Sequence, residues 1–160
     1  MNERYPMTPT GHQKLQAELK HIREVMRPQV VRDIEEARAH GDISENSEYE
    51  DAKERQGQLE ARMSDLANRL SRAEIVDIRT MPPSNTVVFG TTVDLEDVDT
   101  EEKIRYRLVG TEEVDVKAGL ISYSSPIGRA LIGKKVGMEV TFETPRGTRT
   151  VVINAVHYLG

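Results

Sequence analysis

The residues best suited to chemistry lie in one short stretch. Gly41, Asp42, Ile43, Ser44, Glu45, Asn46, Ser47, Glu48 and Tyr49 sit between two long helical patterns, and Glu50, Asp51 and Glu54 follow at once. Carboxylates accept hydrogen bonds, hold cations and orient water. Here Asp42, Glu45, Glu48, Glu50, Asp51 and Glu54 crowd one reversal of the chain, with Lys53 opposing them. Helix capping accounts for one or two, because negative charge is favoured at a helix N-terminus. The others repel one another, and that density points to a use besides stability. Asp42 and Glu45, three apart on a first helical turn, could share a Mg²⁺ that keeps most of its waters and takes further ligands from elsewhere. An EF-hand reading starts well with Asp42, Ser44 and Asn46 but fails at Ser47, where Gly is needed, and at Lys53, where Glu is needed. Arg38 and Lys53 flank the stretch. They are either solvated or salt-bridged cations, or a small phosphate-contacting patch.

The flanking patterns must position these groups. Thr8-Pro9 is a helix start, Thr as N-cap and Pro at the first helical position. Leu15, Leu19, Ile22, Met26, Val30, Ile34 and Ala37 then form a helical stripe. Pro28 falls at its irregularity, so a kink or short break is expected near Arg27-Pro28, with the helix running on to about Ala39. Gly41 can take a left-handed cap. Asp42 with Glu45, and Ser47 with Glu50, both match the capping-box spacing, so the second helix begins between Asp42 and Ser47. Tyr49, Ala52, Gln56, Leu59, Met63, Leu66, Leu70 and Ala73 make a heptad seam with one polar break at Gln56. Two such stripes joined by a short turn predict an antiparallel helical hairpin, on the order of 45 Å long at ~1.5 Å per residue.

Met1 to Met7 reads as an extended lead, and Met81-Pro82-Pro83-Ser84-Asn85 as a linker. Periodicity then changes to two, through Thr86–Phe89, Thr92–Glu96, Lys103–Val109, Glu139–Glu143 and Thr148–Tyr158. This predicts an antiparallel sheet of four to six strands, with turns at Asp97–Glu102 and Pro145–Gly147. Ser125 and Pro126 start a short helix that Gly133 stops, giving an α+β domain.

Composition narrows the function. With no Cys there is no disulfide, thiolate metal site or thiol nucleophile. A net charge of -5 argues against a general nucleic-acid coat. There is no apolar leader or membrane-length run, so a soluble cytoplasmic protein with no membrane partner is expected. His12, His21, His40 and His157 show no metal or triad spacing.

Gly41–Tyr49 together with Ser125–Lys134 resemble the two signature segments of the bacterial GreA/GreB transcript cleavage factors. The likeness spans nearly the whole chain, including the Met7-Thr8 start and the Met81-Pro82 linker. It implies a coiled-coil hairpin over 1–79 with its acidic tip near 41–49, a linker at 80–85, and a C-terminal FKBP-like domain over 86–160. It also implies that the C-terminal domain docks on RNA polymerase at the rim of the secondary channel. The hairpin then reaches the active centre, where the polymerase is stimulated to cut the 3′ end of backtracked nascent RNA. The factor is then not itself an enzyme, and a monomer is expected. By resemblance, Asp42 and Glu45 are the catalytic carboxylates and share a Mg²⁺ with the polymerase; none is bound tightly in isolation. Arg38 and Lys53 face the RNA, while Gly41, Asn46, Glu48 and Tyr49 shape the tip. Ser124, Ser125, Pro126 and Ile127 lie in the polymerase-docking segment, where Ile127 could equally pack the short helix. The alternatives are an inhibitory relative that enters the same channel, a prolyl isomerase suggested by fold alone, and a non-catalytic coiled-coil adaptor. The isomerase would need an aromatic pocket in a domain with only Phe89, Phe142 and a few tyrosines.

Overall fold

Thr8 caps as its sequence position suggests: its Oγ1 accepts from the Gly11 N–H at 3.1 Å, and Pro9 opens helix α1 (Pro9–His21). The computed structural model describes residues 3–41 and 46–160. They fall into two compact units, one of His12–Ala73 with the extreme N-terminus, the other of Arg4–Gly11 and Glu74–Gly160.

In the first unit, Pro28 has no N–H to donate, and its ring would crowd the preceding turn of a regular α-helix. The helix does not break there. It widens into a π-helical turn over Ile22–Met26, with the Arg27 N–H donating to the Ile22 carbonyl, and continues as α2 (Arg27–Ala39). The turn disturbs the stripe. Leu15, Ile22, Val30 and Ala37 are buried, but Met26, expected in the seam, is 40% exposed. Helix α3 (Ser47–Ser71) returns antiparallel, burying Ala52 and Leu66 and half-burying the rest of its seam, Gln56 included. Three ion pairs run from the first arm to the second, Glu18–Arg62 at 2.7 Å, Arg27–Glu60 at 2.8 Å and Asp33–Arg55 at 3.1 Å. Their partners run in opposite directions along the two arms, as an antiparallel register requires.

In the second unit, the N-terminal lead is a strand. β1 (Tyr5–Met7) pairs with β2 (Ala73–Ile75), and the Val76 N–H donates to the Met7 carbonyl at 2.9 Å. The main sheet holds β3 (Thr92–Asp97), β4 (Lys103–Val109), β5 (Leu120–Ser122), β6 (Glu139–Thr144) and β7 (Gly147–His157), in the order β5-β4-β3-β7-β6. The four strands β4-β3-β7-β6 pair antiparallel as expected, whereas edge strand β5 lies parallel to β4, so the sheet is mixed. Thr86–Phe89, read as a strand, contributes only an isolated bridge from Thr86 to Lys135. Its bonds to that neighbour, from the Val87 N–H to the Lys134 carbonyl and from the Gly133 N–H to the Val87 carbonyl, are too few to extend into a ladder. Ser84 and Asn85 are tied in: the Ser84 hydroxyl lies 3.0 Å from the Tyr158 hydroxyl, and the Val136 N–H donates to the Asn85 carbonyl at 3.1 Å.

Val87, Val93, Leu95, Leu108, Ile121, Leu131, Val140, Val151 and Ile153 form the core of this unit. Helix α4 (Pro126–Leu131) supplies Leu131, with Ile127 and Ala130 packing at the margin.

Candidate functional site

At the end of α2 the chain turns on its own backbone. The His40 N–H donates to the Ala37 carbonyl and the Gly41 N–H to the Arg38 carbonyl, both at 3.2 Å. Gly41 has φ of +104°, a conformation that a side chain would oppose. Asp42 and Glu45, the carboxylates expected to act, lie outside the described residues with Ile43 and Ser44.

The far side of the turn begins with Asn46. It is the N-cap of α3, its Oδ1 accepting from the Tyr49 N–H at 3.2 Å. Its Nδ2 donates to the Ala37 carbonyl at 2.6 Å. One side chain thus ties the last turn of α2 to the first turn of α3 and closes both ends of the segment carrying Asp42 and Glu45. Capping-box spacing had favoured Asp42 or Ser47 as the cap. Asn46 takes that place because its amide can accept from one helix and donate to the other, which neither a carboxylate nor a hydroxyl of that length matches.

The remaining tip residues sit close by. His40 Nδ1 is 3.2 Å from Glu48 Oε2, both well exposed. The Arg38 guanidinium lies 5.9 Å from the centre of the Tyr49 ring, a cation–π distance that holds the cation against the hairpin. Lys53 Nζ donates to Gln56 Oε1 at 3.2 Å. Among the described residues neither Arg38 nor Lys53 makes an ion pair, and both are exposed. Below the tip, Asp33, Glu36, Glu48, Asp51 and Arg55 line an open groove of about 320 Å³. Asp33 is held below the usual carboxylate range by hydrogen bonds from Gln29 and Arg55.

The second expected site residues form a rigid turn. The Ser125 Oγ donates to the Ser122 carbonyl at 2.7 Å and accepts from the Gly128 N–H at 3.1 Å, capping α4. The Ser124 N–H donates to Ser122 Oγ at 3.1 Å. Ser124 and Pro126 are exposed and Ile127 is half-buried against the core. A Cβ at Gly128 would lie 2.3 Å from the Ser122 carbonyl oxygen, so glycine alone lets α4 close on this turn. Behind it, the rings of Phe89 and Tyr123 meet edge to face at 5.6 Å.

On the exposed sheet face, Asp94 binds Arg105 Nε at 2.6 Å and His157 Nε2 at 2.8 Å. The Arg105 and His157 hydrogen bonds hold its carboxyl down to about 2. The adjoining hollow, about 350 Å³, includes Lys103, Ile104 and Asn154.

Sequence reasoning passed over Glu113. Its Oε2 accepts from the Thr8 N–H at 3.1 Å and the Gly110 N–H at 2.9 Å, and its Oε1 accepts from the Thr8 hydroxyl. No local signal announces this contact, because Thr8 and Glu113 lie 105 residues apart.

The comparisons with known proteins cover both units. A family model described as "Transcription elongation factor, N-terminal" matches residues 5–75, and one described as "Transcription elongation factor, GreA/GreB, C-term" matches residues 82–158. The chain is 49% identical to transcription elongation factor GreA of Psychrobacter arcticus over 98% of this chain and 99% of that protein. It is also 49% identical to GreA of Xanthomonas axonopodis pv. citri, again over 98% of this chain and 99% of that protein. Among solved structures, the GreA factor homolog 1 (Gfh1) of Thermus thermophilus is 29% identical with a TM-score of 0.45, over 97% of this chain and 99% of that one. With both halves matched by the family models and near-half identity to relatives along their full length, this chain belongs to the GreA/GreB family of transcription elongation factors.

Proposed function

We propose that this protein acts on bacterial RNA polymerase, in the cytoplasm, by presenting Asp42 and Glu45 to the active centre through the secondary channel and stimulating cleavage of the backtracked RNA 3′ end. The observation that carries this reading is the Asn46 brace. A side chain bonded to Ala37 on one arm and Tyr49 on the other holds both ends of the acidic segment. A plain adaptor coiled coil has no need to fix its turn that closely. Asp42 and Glu45, in the spacing of the cleavage factors, argue against an inhibitor.

Two carboxylates are an incomplete ligand set for Mg²⁺, which asks for octahedral oxygen coordination. Asp42 and Glu45 would hold the ion jointly with polymerase carboxylates. Bound there, Mg²⁺ would make water a nucleophile and support the leaving oxygen of the phosphodiester. The chain's own work is placement. The hairpin carries the tip, and the Asn46 brace limits its freedom. Arg38 and Lys53, exposed beside it, would contact the extruded RNA backbone. Ser124, Ser125, Pro126 and Ile127 would dock at the rim of the channel, on a turn already rigid before binding.

The test is RNA cleavage by stalled, backtracked polymerase complexes in Mg²⁺, with polymerase binding followed alongside. Asp42→Asn and Glu45→Gln should bind like wild type and lower stimulated cleavage by roughly 100-fold or more, the scale seen when groups acting as a unit lose one member. Variants that cut as well as wild type would make these carboxylates helix caps only. A wild type that binds without stimulating cleavage would favour the inhibitory reading.

A further inference from the structure

Near the tip the α3 seam carries an aromatic residue and an amide, Tyr49 and Gln56, one heptad apart. Both are half-buried, and each holds one of the two cations that flank the tip. The Arg38 guanidinium lies over the Tyr49 ring at 5.9 Å, and Gln56 Oε1 accepts from Lys53 Nζ at 3.2 Å. Neither holder is charged, although acids are dense here. Nearby carboxylates are engaged elsewhere: Glu48 faces His40, and Asp33 takes Arg55. A cation paired with a carboxylate spends its donors and its charge on that partner. A ring takes only the face of a guanidinium and leaves its N–H edge open to a phosphate. An amide oxygen takes one of the ammonium donors and leaves the charge whole. The same contact gives a reason for the polar break at Gln56, where an apolar residue would pack the seam better.

We propose that Tyr49 and Gln56 are positioning residues for RNA: they hold Arg38 and Lys53 in place without neutralising them, so that both cations meet the phosphates of the extruded 3′ end. This rests on the reading of Arg38 and Lys53 as RNA contacts given above. All four side chains belong to the hairpin unit, so the arrangement is complete within it. A long exposed cation gives up rotamer freedom when it grips a phosphate. A side chain already held gives up less, and binds better for it. The two pairs differ in reach. Tyr49 crosses from α3 to Arg38 on α2, whereas Gln56 supports a neighbour one turn away on its own helix. The larger effect therefore belongs to Tyr49.

The test binds the full-length factor to backtracked polymerase complexes whose RNA carries a photoreactive uridine at its 3′ end. Mg²⁺ is chelated so that the RNA stays whole, and the readout is the yield of RNA crosslinked to the factor at saturation. Tyr49→Leu keeps an apolar seam residue and should lower the yield roughly 2- to 5-fold, and Tyr49→Phe, which keeps the ring, should restore it. Gln56→Leu completes the apolar seam. It should raise the thermal stability of the hairpin while lowering the yield about 2-fold, two changes that a merely structural role would not set against each other. In an Arg38→Gln background Tyr49→Leu should have no further effect, and in a Lys53→Gln background neither should Gln56→Leu. A full yield in either Leu variant would overturn the proposal. So would a loss of equal size with and without the cation, or a wild type that gives no crosslink. A wild type that crosslinks but stimulates no cleavage once Mg²⁺ is restored would overturn the tip-carboxylate reading and leave the roles of Tyr49 and Gln56 standing.

Discussion

The two units of this chain are held together by different means. The C-terminal unit gathers nine buried apolar residues from five strands, α4 and the Val87 segment into one core. The hairpin has a single seam, with Leu15, Ile22, Val30 and Ala37 meeting Ala52 and Leu66, and its flanks are laced by partly exposed ion pairs. A two-helix hairpin has no second layer to bury against, so its narrow seam carries most of its stability, with capping and ion pairs adding smaller increments. The lesson concerns function. On the function proposed, the unit with the large core would present the hydrogen-bonded turn at Ser124–Ile127, while the unit with little core would depend on single side chains to hold its tip.

The largest break in this comparison should come from truncating each core. Leu131→Ala, at a fully buried site in the sheet unit, should cost about 2–5 kcal/mol. Leu59→Ala, half-buried in the hairpin seam, should cost about 1–2 kcal/mol. Denaturant unfolding followed separately at tyrosines of the two units would check this; equal losses would mean that the hairpin is better packed than its seam suggests. Next is Asn46→Ala. It removes an N-cap and a cross-arm hydrogen bond, so about 1–2 kcal/mol of hairpin stability should go. Stimulated cleavage should fall with polymerase affinity kept.

Acid titration should reach the sheet unit through Asp97. Its carboxyl, only 4% exposed, accepts from the N–H groups of Thr100 and Asp99 and from Arg149, and is held down to about 2. Because the folded value is depressed, the stability it confers is present above about pH 4 and is lost as pH falls through about 2. Asp97→Asn should lower stability at neutral pH and flatten that acid limb in a melting-temperature series. The smallest effect is expected from Arg62→Met, which removes the pairs to Glu18 and Asp65 and should cost about 0.2–1 kcal/mol, less at high salt. Glu18, kept below its usual range by the Arg62 hydrogen bond, would then titrate closer to its ordinary value.

Much of this was legible in the order of residues. Thr8-Pro9 and Ser125-Pro126 announce helix starts through local chemistry, and both helices begin there. The α3 seam survives because a heptad spacing selects the same face wherever the helix packs. The strands at 92–97, 103–109 and 139–144 alternate because one face of the sheet is buried.

Other features were not legible in the pattern, and most of them depended on partners distant in the chain. Met26 left the stripe because Pro28 forces a π-helical turn, which a pattern of apolar spacings does not encode. Leu120–Ser122 became a strand, and a parallel one, only because β4 offered a free edge; Thr86–Phe89 meets residues 133–135 through a single bridge only. Asn46 was visible as a tip residue, but its bond to Ala37 exists only once the two arms lie side by side. The sequence by itself determined the helices, the four antiparallel strands of the main sheet and the place of the acidic residues between two helices, because capping, periodicity and charge act over a few residues. Only the tertiary structure decided which strand edges pair, that Asn46 bridges two helices, and that Glu113 meets Thr8, because hydrogen bonds between distant residues require the fold that brings them within 3 Å or so.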